Sequence, residues 1–210
     1  MADLSNSPVM QSPLHLFGLP PRAVPMDSGA GVWANEMPLA GFISVRGEIG
    51  NPAFLDATAK ALGLSLPTEP CTIVSTGSTS ALWMSPDEWM IIVPRERVPV
   101  LTKALTDGLS GIRSQVVDNS GGYTQVVILG RNARDVLSHC TVYDIDHLGE
   151  NRIVGTTFGK SSVYLRKHGE GYCLLLRRSF ADYIWRYLDR GALPYGFGIA
   201  KLPPNDGVGT

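Results

Sequence analysis

The residues best suited to chemistry form one short cluster of potential metal ligands. Two histidines, one cysteine and two aspartates fall within nine positions: His139, Cys140, Asp144, Asp146 and His147. A zinc site needs about four N, S or O ligands that converge on one point. The spacing here follows none of the common zinc patterns. We therefore expect a polar loop and assign no metal ligand.

Nucleophilic and acid–base catalysis are not indicated either. Cys140 adjoins His139, but adjacent side chains seldom point at each other, and partners that meet only in space leave no local pattern. No G-x-S-x-G turn occurs in the sequence. Asp87 and Glu88 resemble a pair of carboxylates, but Pro86 and the apolar run after them indicate an exposed turn. We predict no catalytic residue.

Cofactor loops are the third kind of site that a sequence can reveal. Glycines cluster at residues 29–31 and 121–122. Neither cluster fits G-x-G-x-x-G between a strand and a helix, and no phosphate loop of the G-x-x-x-x-G-K-[ST] type occurs. Both clusters are better explained as tight turns. We predict no cofactor-binding residue.

Composition argues against several classes of partner. The 210 residues are 44% hydrophobic and 18% charged, as in globular proteins rather than disordered ones. The net charge of -1 offers no basic surplus for nucleic acid. No apolar run approaches the roughly 20 residues of a membrane-spanning helix. We expect neither a nucleic-acid partner nor a membrane partner.

The first residues and the cysteines predict a cytoplasmic location. The chain begins without a basic region followed by an apolar stretch, so no signal peptide is indicated. The three cysteines are odd in number and widely separated: Cys71, Cys140 and Cys173. None belongs to a C-x-x-C pair. Reduced and mostly buried thiols fit this pattern better than disulfides do.

The apolar pattern predicts helices and strands in mixed order. Residues 42–49 partly alternate and indicate a strand. Asn51 and Pro52 begin a helix, as cap and first residue, and Gly63 suits its end. Further helices are predicted over 98–109 and 132–139, with strands between them. The predicted fold class is α+β, an antiparallel sheet with packed helices.

Three segments are expected along the chain, with no evident internal repeat. Residues 1–40 are rich in proline, which fixes φ and removes donors, so they are predicted to form an extended arm. Residues 41–190 are predicted to form a single α+β domain. Residues 191–210 contain five glycines and three prolines and are predicted to be a tail. Leu16, Phe17 and Trp33 give the arm apolar anchors for its own domain or a partner.

A capped helix is predicted over Ser179–Leu188. Ser179 can cap it, and Asp182 stands three residues later, as in a capping box. Its inward stripe is predicted to contain Phe180, Tyr183, Ile184 and Leu188. Trp185 and Arg186 then fall on the outward side, and both residue types are enriched at binding hot spots. The alternative is a Trp185 that lies flat over the neighbouring hairpin.

Five residues are therefore candidates for an interface: Leu16, Phe17, Trp33, Trp185 and Arg186.

Four segments, collinear between about residues 40 and 190, resemble the gamma subunit of heterotetrameric sarcosine oxidase. The last of them is long and specific, and Arg131 and Asn132 depart from the usual residues in the third. The segments are 81–90 (ALWMSPDEWM), 117–124 (VDNSGGYT), 130–137 (GRNARDVL) and 177–185 (RRSFADYIW).

The resemblance implies a chain without catalytic residues of its own. It implies alpha, beta and delta subunits as partners and a complex that oxidises sarcosine to glycine and hydrogen peroxide, with the one-carbon unit passed to tetrahydrofolate. FAD, FMN, NAD, tetrahydrofolate and zinc would lie on the other subunits. The implied fold is similar to the folate-binding domain of aminomethyltransferases, although no folate-binding carboxylate can be placed on this sequence.

Two alternatives stay open beside this interpretation. The chain could be the small subunit of a related N-methylglutamate dehydrogenase, because that assembly has a similar subunit. It could also be a free-standing folate-binding protein of the aminomethyltransferase type. Binding of tetrahydrofolate by the isolated chain would distinguish the second alternative from a structural subunit.

Overall fold

The computed structural model describes residues 11–26, 29–37 and 39–202, and within them eleven strands and five α-helices form. Short 3₁₀ turns join several of these elements. In chain order the helices and strands are α1 (Leu19–Arg22), β1 (Val32–Glu36), β2 (Ala40–Gly47), α2 (Pro52–Leu62), β3 (Ile73–Thr76), β4 (Thr79–Ser85), β5 (Glu88–Pro94), α3 (Val98–Gly108), β6 (Ser114–Asp118), β7 (Tyr123–Leu129), α4 (Ala133–Cys140), β8 (Ile153–Phe158), β9 (Ser161–His168), β10 (Gly171–Arg177), α5 (Ala181–Ala192) and β11 (Phe197–Ile199).

The strands pair into two sheets. Five strands lie in the order β3-β4-β5-β2-β6, and six in the order β11-β1-β7-β10-β9-β8. Pairing is antiparallel throughout both sheets apart from β1 and β11, which run parallel. The predicted α+β class with antiparallel sheet and packed helices is confirmed. The structure adds that two sheets form, where one was expected.

Side-chain alternation along the strands divides the molecule into four layers. In β2, Ile43 and Val45 share a core with α2 and α3, while Phe42 on the opposite face packs against Tyr123 and Leu175 of the other sheet. Successive side chains of a strand point to opposite faces, so each sheet can bury both. The six-stranded sheet buries its far face against α4 and α5. The layers are helices, sheet, sheet, helices.

The two halves of the chain repeat one topology, which the sequence does not reveal. Elements β2-α2-β3-β4-β5-α3-β6 and β7-α4-β8-β9-β10-α5-β11 follow the same succession. In both sheets the strands of the half lie in the order second, third, fourth, first, fifth. The second sheet differs because β1, which precedes both repeats, separates β7 from β11. The shared topology is a structural duplication without a visible sequence repeat.

Local signals at the first long helix are confirmed. The Asn51 side chain accepts a hydrogen bond from the Ala53 amide at 3.0 Å, and Pro52 begins α2. Gly63 follows the helix with φ of 72°, a left-handed conformation that glycine adopts without the Cβ penalty. These caps satisfy backbone groups that the helix leaves open at its ends. Their effect is local, so the sequence pattern was sufficient to predict them.

The predicted arm and tail are corrected by the structure. Val32–Glu36 is the inner strand β1, so the arm of residues 1–40 extends too far, and Phe197–Ile199 pairs with β1 inside the expected tail 191–210. Prolines and glycines around β1 and β11 mask these short strands in the sequence. Their apolar side chains are buried between the six-stranded sheet and its helices. Residues 1–10 and 203–210 of the arm and tail lie outside the described residues.

No helix in the described part of the chain combines the length and apolar character that crossing a membrane would require.

Candidate subunit interface

The capping box predicted for the last helix does not form. A 3₁₀ turn over Arg178–Phe180 precedes α5, and Phe180 occupies the cap position without a side-chain cap bond. Because Phe180 and not Ser179 is the cap, α5 begins one residue later than the box requires, and Asp182 is its second residue instead of its third. Asp182 instead accepts two hydrogen bonds from the Arg186 guanidinium, at 2.9 and 3.1 Å. The pair occupies the outward side of the helix.

The predicted orientation of α5 is wrong for its largest aromatic residue. Trp185 is 2% exposed and belongs to the core, whereas Phe180, expected inside, is 47% exposed. Tyr183, also expected inside, lies at the surface. The buried face follows another 3.6-residue stripe, formed by Ala181, Ile184, Trp185, Leu188 and Ala192.

Small residues in this stripe explain the rotation of α5. Ala181 and Ala192 allow the helix to approach the sheet, and the bulk of Trp185 then fills the space beside them. The expected stripe counted Phe180, but Phe180 lies on the 3₁₀ turn and not on the helix. A search that counted alanine as apolar and began at residue 181 would have found the correct face.

Trp185 links three parts of the molecule. Its ring centroid lies 6.0 Å from that of Phe17 in the N-terminal segment and 5.7 Å from that of Phe197 in β11. The Arg186 guanidinium carbon lies 5.1 Å from the Phe17 ring centroid, within range of a cation–π contact. Phe17 thus packs against both Trp185 and Arg186 of α5. Phe17 therefore anchors the N-terminal segment on the chain's own domain, which is one of the two docking sites expected.

A half-buried carboxylate holds the same segment at its beginning. Glu36 of β1 accepts hydrogen bonds from the Ser12 hydroxyl and from the Thr124 hydroxyl, the latter at 2.6 Å. The Leu14 amide donates in turn to the Ser12 hydroxyl oxygen at 3.0 Å. Burial raises the pKa of the Glu36 carboxyl, and the hydrogen bonds to it oppose this rise. Arg178 donates to the Gln11 carbonyl at 2.6 Å. Residues 11–17 are therefore fixed by polar contacts as well as by apolar ones.

Trp33 and Leu16 have opposite surroundings. Trp33 is buried, its indole N–H donates to the Ala30 carbonyl at 3.1 Å, and its ring lies against Gly198, where a Cβ would come within 2.5 Å. Of the two docking sites expected for Trp33, a partner or its own domain, the structure shows the second, because the ring packs inside its own sheet. Leu16 is 86% exposed beside the docked Phe17.

An outward surface remains on the N-terminal segment and α5. We define the arm–α5 surface by Leu16, Phe17, Phe180, Tyr183 and Arg186. It combines exposed apolar side chains with a guanidinium, which is the composition enriched in protein interfaces. Of the five sequence candidates, this surface retains Leu16, Phe17 and Arg186, whereas Trp33 and Trp185 are buried.

The residues of the potential metal cluster are held by other contacts. Arg134 donates to the Asp146 carboxylate at 2.7 Å. The His139 ring lies 3.0 Å from the Tyr195 hydroxyl, and the His147 ring lies 2.8 Å from the Asp144 carboxylate. Burial raises the pKa of the Cys140 thiol to about 11. In residues 11–26, 29–37 and 39–202, no three His, Cys, Asp or Glu side chains are grouped as a metal site would require.

Asp87, the other residue considered for catalysis, lies at the surface. Asp87 lies in the turn between β4 and β5, as expected for an exposed turn, and pairs with Arg46 at 2.8 Å. Hydrogen bonds from Ser85 and Arg46 lower the pKa of the Asp87 carboxyl. An open depression of about 680 Å³ adjoins this pair and is also lined by Arg113. All three cysteines are free thiols.

Comparison with known proteins identifies relatives of this chain. The model of the "Sarcosine oxidase, gamma subunit family" matches residues 46–193. Sarcosine oxidase subunit gamma of Arthrobacter sp is 31% identical over 163 residues, which cover 76% of this chain and 79% of that subunit. The corresponding subunit of Corynebacterium sp. (strain P-1) is 30% identical over 172 residues, which cover 80% of this chain and 83% of that subunit.

Solved structures of other proteins share the fold of this chain, whereas the family assignment rests on sequence. A chain of heterotetrameric sarcosine oxidase from Corynebacterium sp. U-96 superposes with a TM-score of 0.78 at 24% identity, covering 92% of this chain and 99% of that one. Aminomethyltransferase T of the glycine cleavage system from Bartonella henselae gives 0.60 at 13% identity, covering 81% of this chain and 48% of that one. The family match and the identity over most of both relatives show that the chain belongs to the sarcosine oxidase gamma subunit family.

Proposed function

We propose that this chain is a structural, non-catalytic subunit of a heterotetrameric sarcosine oxidase. The identity with two gamma subunits over about four-fifths of their length carries this proposal. The proposed partners are alpha, beta and delta subunits, and the proposed location is the cytoplasm, which the three free thiols favour. The assembly would oxidise sarcosine to glycine and hydrogen peroxide and pass the one-carbon unit to tetrahydrofolate. FAD, FMN, NAD, tetrahydrofolate and zinc would be held by the other subunits.

The arm–α5 surface supports an assembly role for this chain. Leu16 projects into solvent from a segment that is otherwise fixed by Glu36 and Trp185. A rigid segment can present an apolar side chain without the entropy cost of ordering a loop on binding. Arg186 is already oriented by Asp182 and Phe17. The surface is therefore preorganised for a partner.

Purification from the native host tests the assembly directly. We expect a tagged copy of the full chain to bring down three other polypeptides in constant ratio, together with flavin absorbance and sarcosine-dependent oxygen uptake. A tagged chain that elutes alone and leaves the oxidase in the unbound fraction would contradict the proposal. The substrate and the electron acceptor together also separate the two assemblies. A sarcosine oxidase consumes oxygen with sarcosine, whereas an N-methylglutamate dehydrogenase would reduce an added dye with N-methylglutamate.

A second candidate is folate binding by this chain itself. The fold shared with aminomethyltransferase T favours it, because the sequence resemblance implies a folate-binding domain of that type. Calorimetric titration of the purified full chain with tetrahydrofolate distinguishes the two candidates. A structural subunit should give no saturable heat, whereas a folate binder should give a saturable isotherm.

A further inference from the structure

Three of the four outer sheet edges are hydrogen-bonded to flanking segments. At β11, the Val24 amide donates to the Ile199 carbonyl, and the Lys201 amide donates to the Val24 carbonyl, both at 3.0 Å. Such cover matters because an open edge offers a row of unpaired backbone groups to any other strand. The N-terminal segment thus closes this edge with residue 24.

The edges of β3 and β8 are covered in the same way. The Ile73 amide of β3 donates to the Asn151 carbonyl at 2.9 Å. At β8, the amide of Ile153 donates to the Cys71 carbonyl at 3.0 Å, and Gly159 beyond the other end donates to Cys140 at 2.8 Å. Neighbouring loops therefore reach both edges, at the first residue of each strand and at the far end of β8.

The outer edge of β6 has no such cover within the described residues. β6 is the last strand of the five-stranded sheet and pairs on its inner side with β2. No backbone hydrogen bond from another described segment reaches the outer side of Ser114–Asp118. In the equivalent place of the duplicated half, β11 is covered by Val24. Among the four outer edges formed by the described residues, the edge of β6 is thus the one that no flanking backbone reaches.

The register with β2 shows which backbone groups face outward. The Asn119 amide donates to the Phe42 carbonyl at 2.7 Å. Inward and outward residues alternate along an antiparallel pair, so Val117 and Gln115 also direct their amides toward β2. The amides and carbonyls of the intervening residues point away from the sheet. These residues are Ser114, Val116 and Asp118.

The side chains at this edge are suited to an extended segment with an acidic residue. Val117 is 37% exposed and provides an apolar contact. Arg113 precedes β6, is exposed, and makes no hydrogen bond or ion pair with the described residues. It lines the open depression together with Arg46, Glu48 and Asp87, and the Asp87 carboxylate is already paired with Arg46. The depression leaves room for a further carboxylate to approach Arg113. A guanidinium pairs well with a carboxylate because its fork of donors matches the two oxygens.

We propose that the outer edge of β6 accepts an extended segment of another subunit of the complex. The added strand would pair with Ser114, Val116 and Asp118 and place a carboxylate side chain beside Arg113. Strand addition of this kind derives its affinity from main-chain hydrogen bonds and its specificity from side chains. The docking rests on the proposed function, because it requires that the chain assemble with other subunits.

Hydrogen exchange at single-residue resolution tests the backbone pairing. The full chain alone and the purified complex are compared at equal pH and temperature. The Val116 amide should exchange rapidly in the chain alone and at least about tenfold more slowly in the complex. The Val117 amide, already directed at β2, is the internal reference. A complex that forms without slowing exchange at Val116 overturns the β6 docking and leaves the assembly role intact.

A charge placed at the edge provides a second test. Val117→Lys should weaken assembly with the other subunits by about tenfold or more, since an edge lysine opposes strand pairing. Val142→Lys is the matched control, because Val142 is an exposed valine outside the five-stranded sheet. Equal assembly of both variants overturns the docking. If neither the wild type nor Val142→Lys assembles with any subunit, the proposed function and the docking both fail.

Discussion

At the scale of single residues, the inward position of Trp185 changes what its substitution should do. Trp185→Ala removes contacts with Phe17 and Phe197 and leaves a cavity under α5. We expect a loss of roughly 3–5 kcal/mol in the free energy of unfolding, as for other buried aromatic residues. Urea unfolding of the full chain measures this loss.

Phe180→Ala is the matched control for that substitution. Phe180 is a neighbouring aromatic residue that lies at the surface on a 3₁₀ turn, and surface substitutions usually change stability by about 0.5 kcal/mol or less. If Phe180→Ala costs as much as Trp185→Ala, the orientation of α5 described above is incorrect.

Glu36 provides a prediction on pH. Burial raises the pKa of its carboxyl above the ordinary 4.5, so the folded state binds the proton more tightly than the unfolded state does. The stability that this group contributes is therefore fully present below pH 4.5 and is lost as pH rises through the raised pKa. The wild type should lose stability over this window relative to Glu36→Gln, whose side chain does not titrate.

Urea unfolding of both proteins between pH 4 and pH 7 measures this difference. Taking the difference removes the opposite contributions of two other carboxyls: hydrogen bonds from Ser85 and Arg46 lower the pKa of Asp87, and a hydrogen bond from Arg134 lowers the pKa of Asp146. Glu96→Gln, at an exposed site, is the control. A wild type that gains stability over Glu36→Gln as pH rises would show that the hydrogen bonds to the carboxylate outweigh its burial.

At the scale of elements, the N-terminal segment is both part of the core and part of the arm–α5 surface. Leu14 and Leu19 are buried in the core beneath α4 and α5. Deletion of residues 1–30 should therefore lower the thermal midpoint of the isolated chain substantially, since loss of one buried leucine side chain already costs roughly 2–5 kcal/mol. Scanning calorimetry of the truncated and full chains measures the shift. An unchanged midpoint would show that the segment does not stabilise the domain.

Leu16→Asp separates assembly from folding on the same segment. Because Leu16 is exposed, this variant should melt like the wild type. If Leu16 contacts a partner, the complex should weaken by about 2 kcal/mol or more, as at an interface hot spot. Val100→Asp, at an exposed valine on α3, is the control for added surface charge. Equal affinity of both variants for the partner subunits would remove Leu16 from the interface.

At the scale of the whole molecule, four layers of helix and sheet provide a rigid body with several outward surfaces. The proposed role predicts that the chain expressed alone is colourless and shows no sarcosine-dependent oxygen uptake. Visible absorbance and an oxygen electrode measure both properties, and the complete complex is the positive control. Stoichiometric flavin in the chain expressed alone would contradict a non-catalytic role.

The sequence by itself determined several of the local elements and indicated the family. Asn51 and Gly63 specify the ends of α2 because caps act on backbone groups within a few residues. The α+β class follows from the succession of apolar periods, each of which is contained in one short segment. The family assignment follows from side-chain identities in collinear motifs, which need no knowledge of the contacts.

Only the tertiary structure decided how these elements meet. Strand pairing joins residues far apart in sequence, so neither the insertion of β1 between β7 and β11 nor the duplicated topology leaves a local pattern. The burial of Trp185 depends on Phe17 and Phe197, which approach it from opposite ends of the chain. The open edge of β6 is likewise defined by which segments fail to reach it. Such features arise from packing and closure of the whole chain, and periodicity within one segment does not contain them.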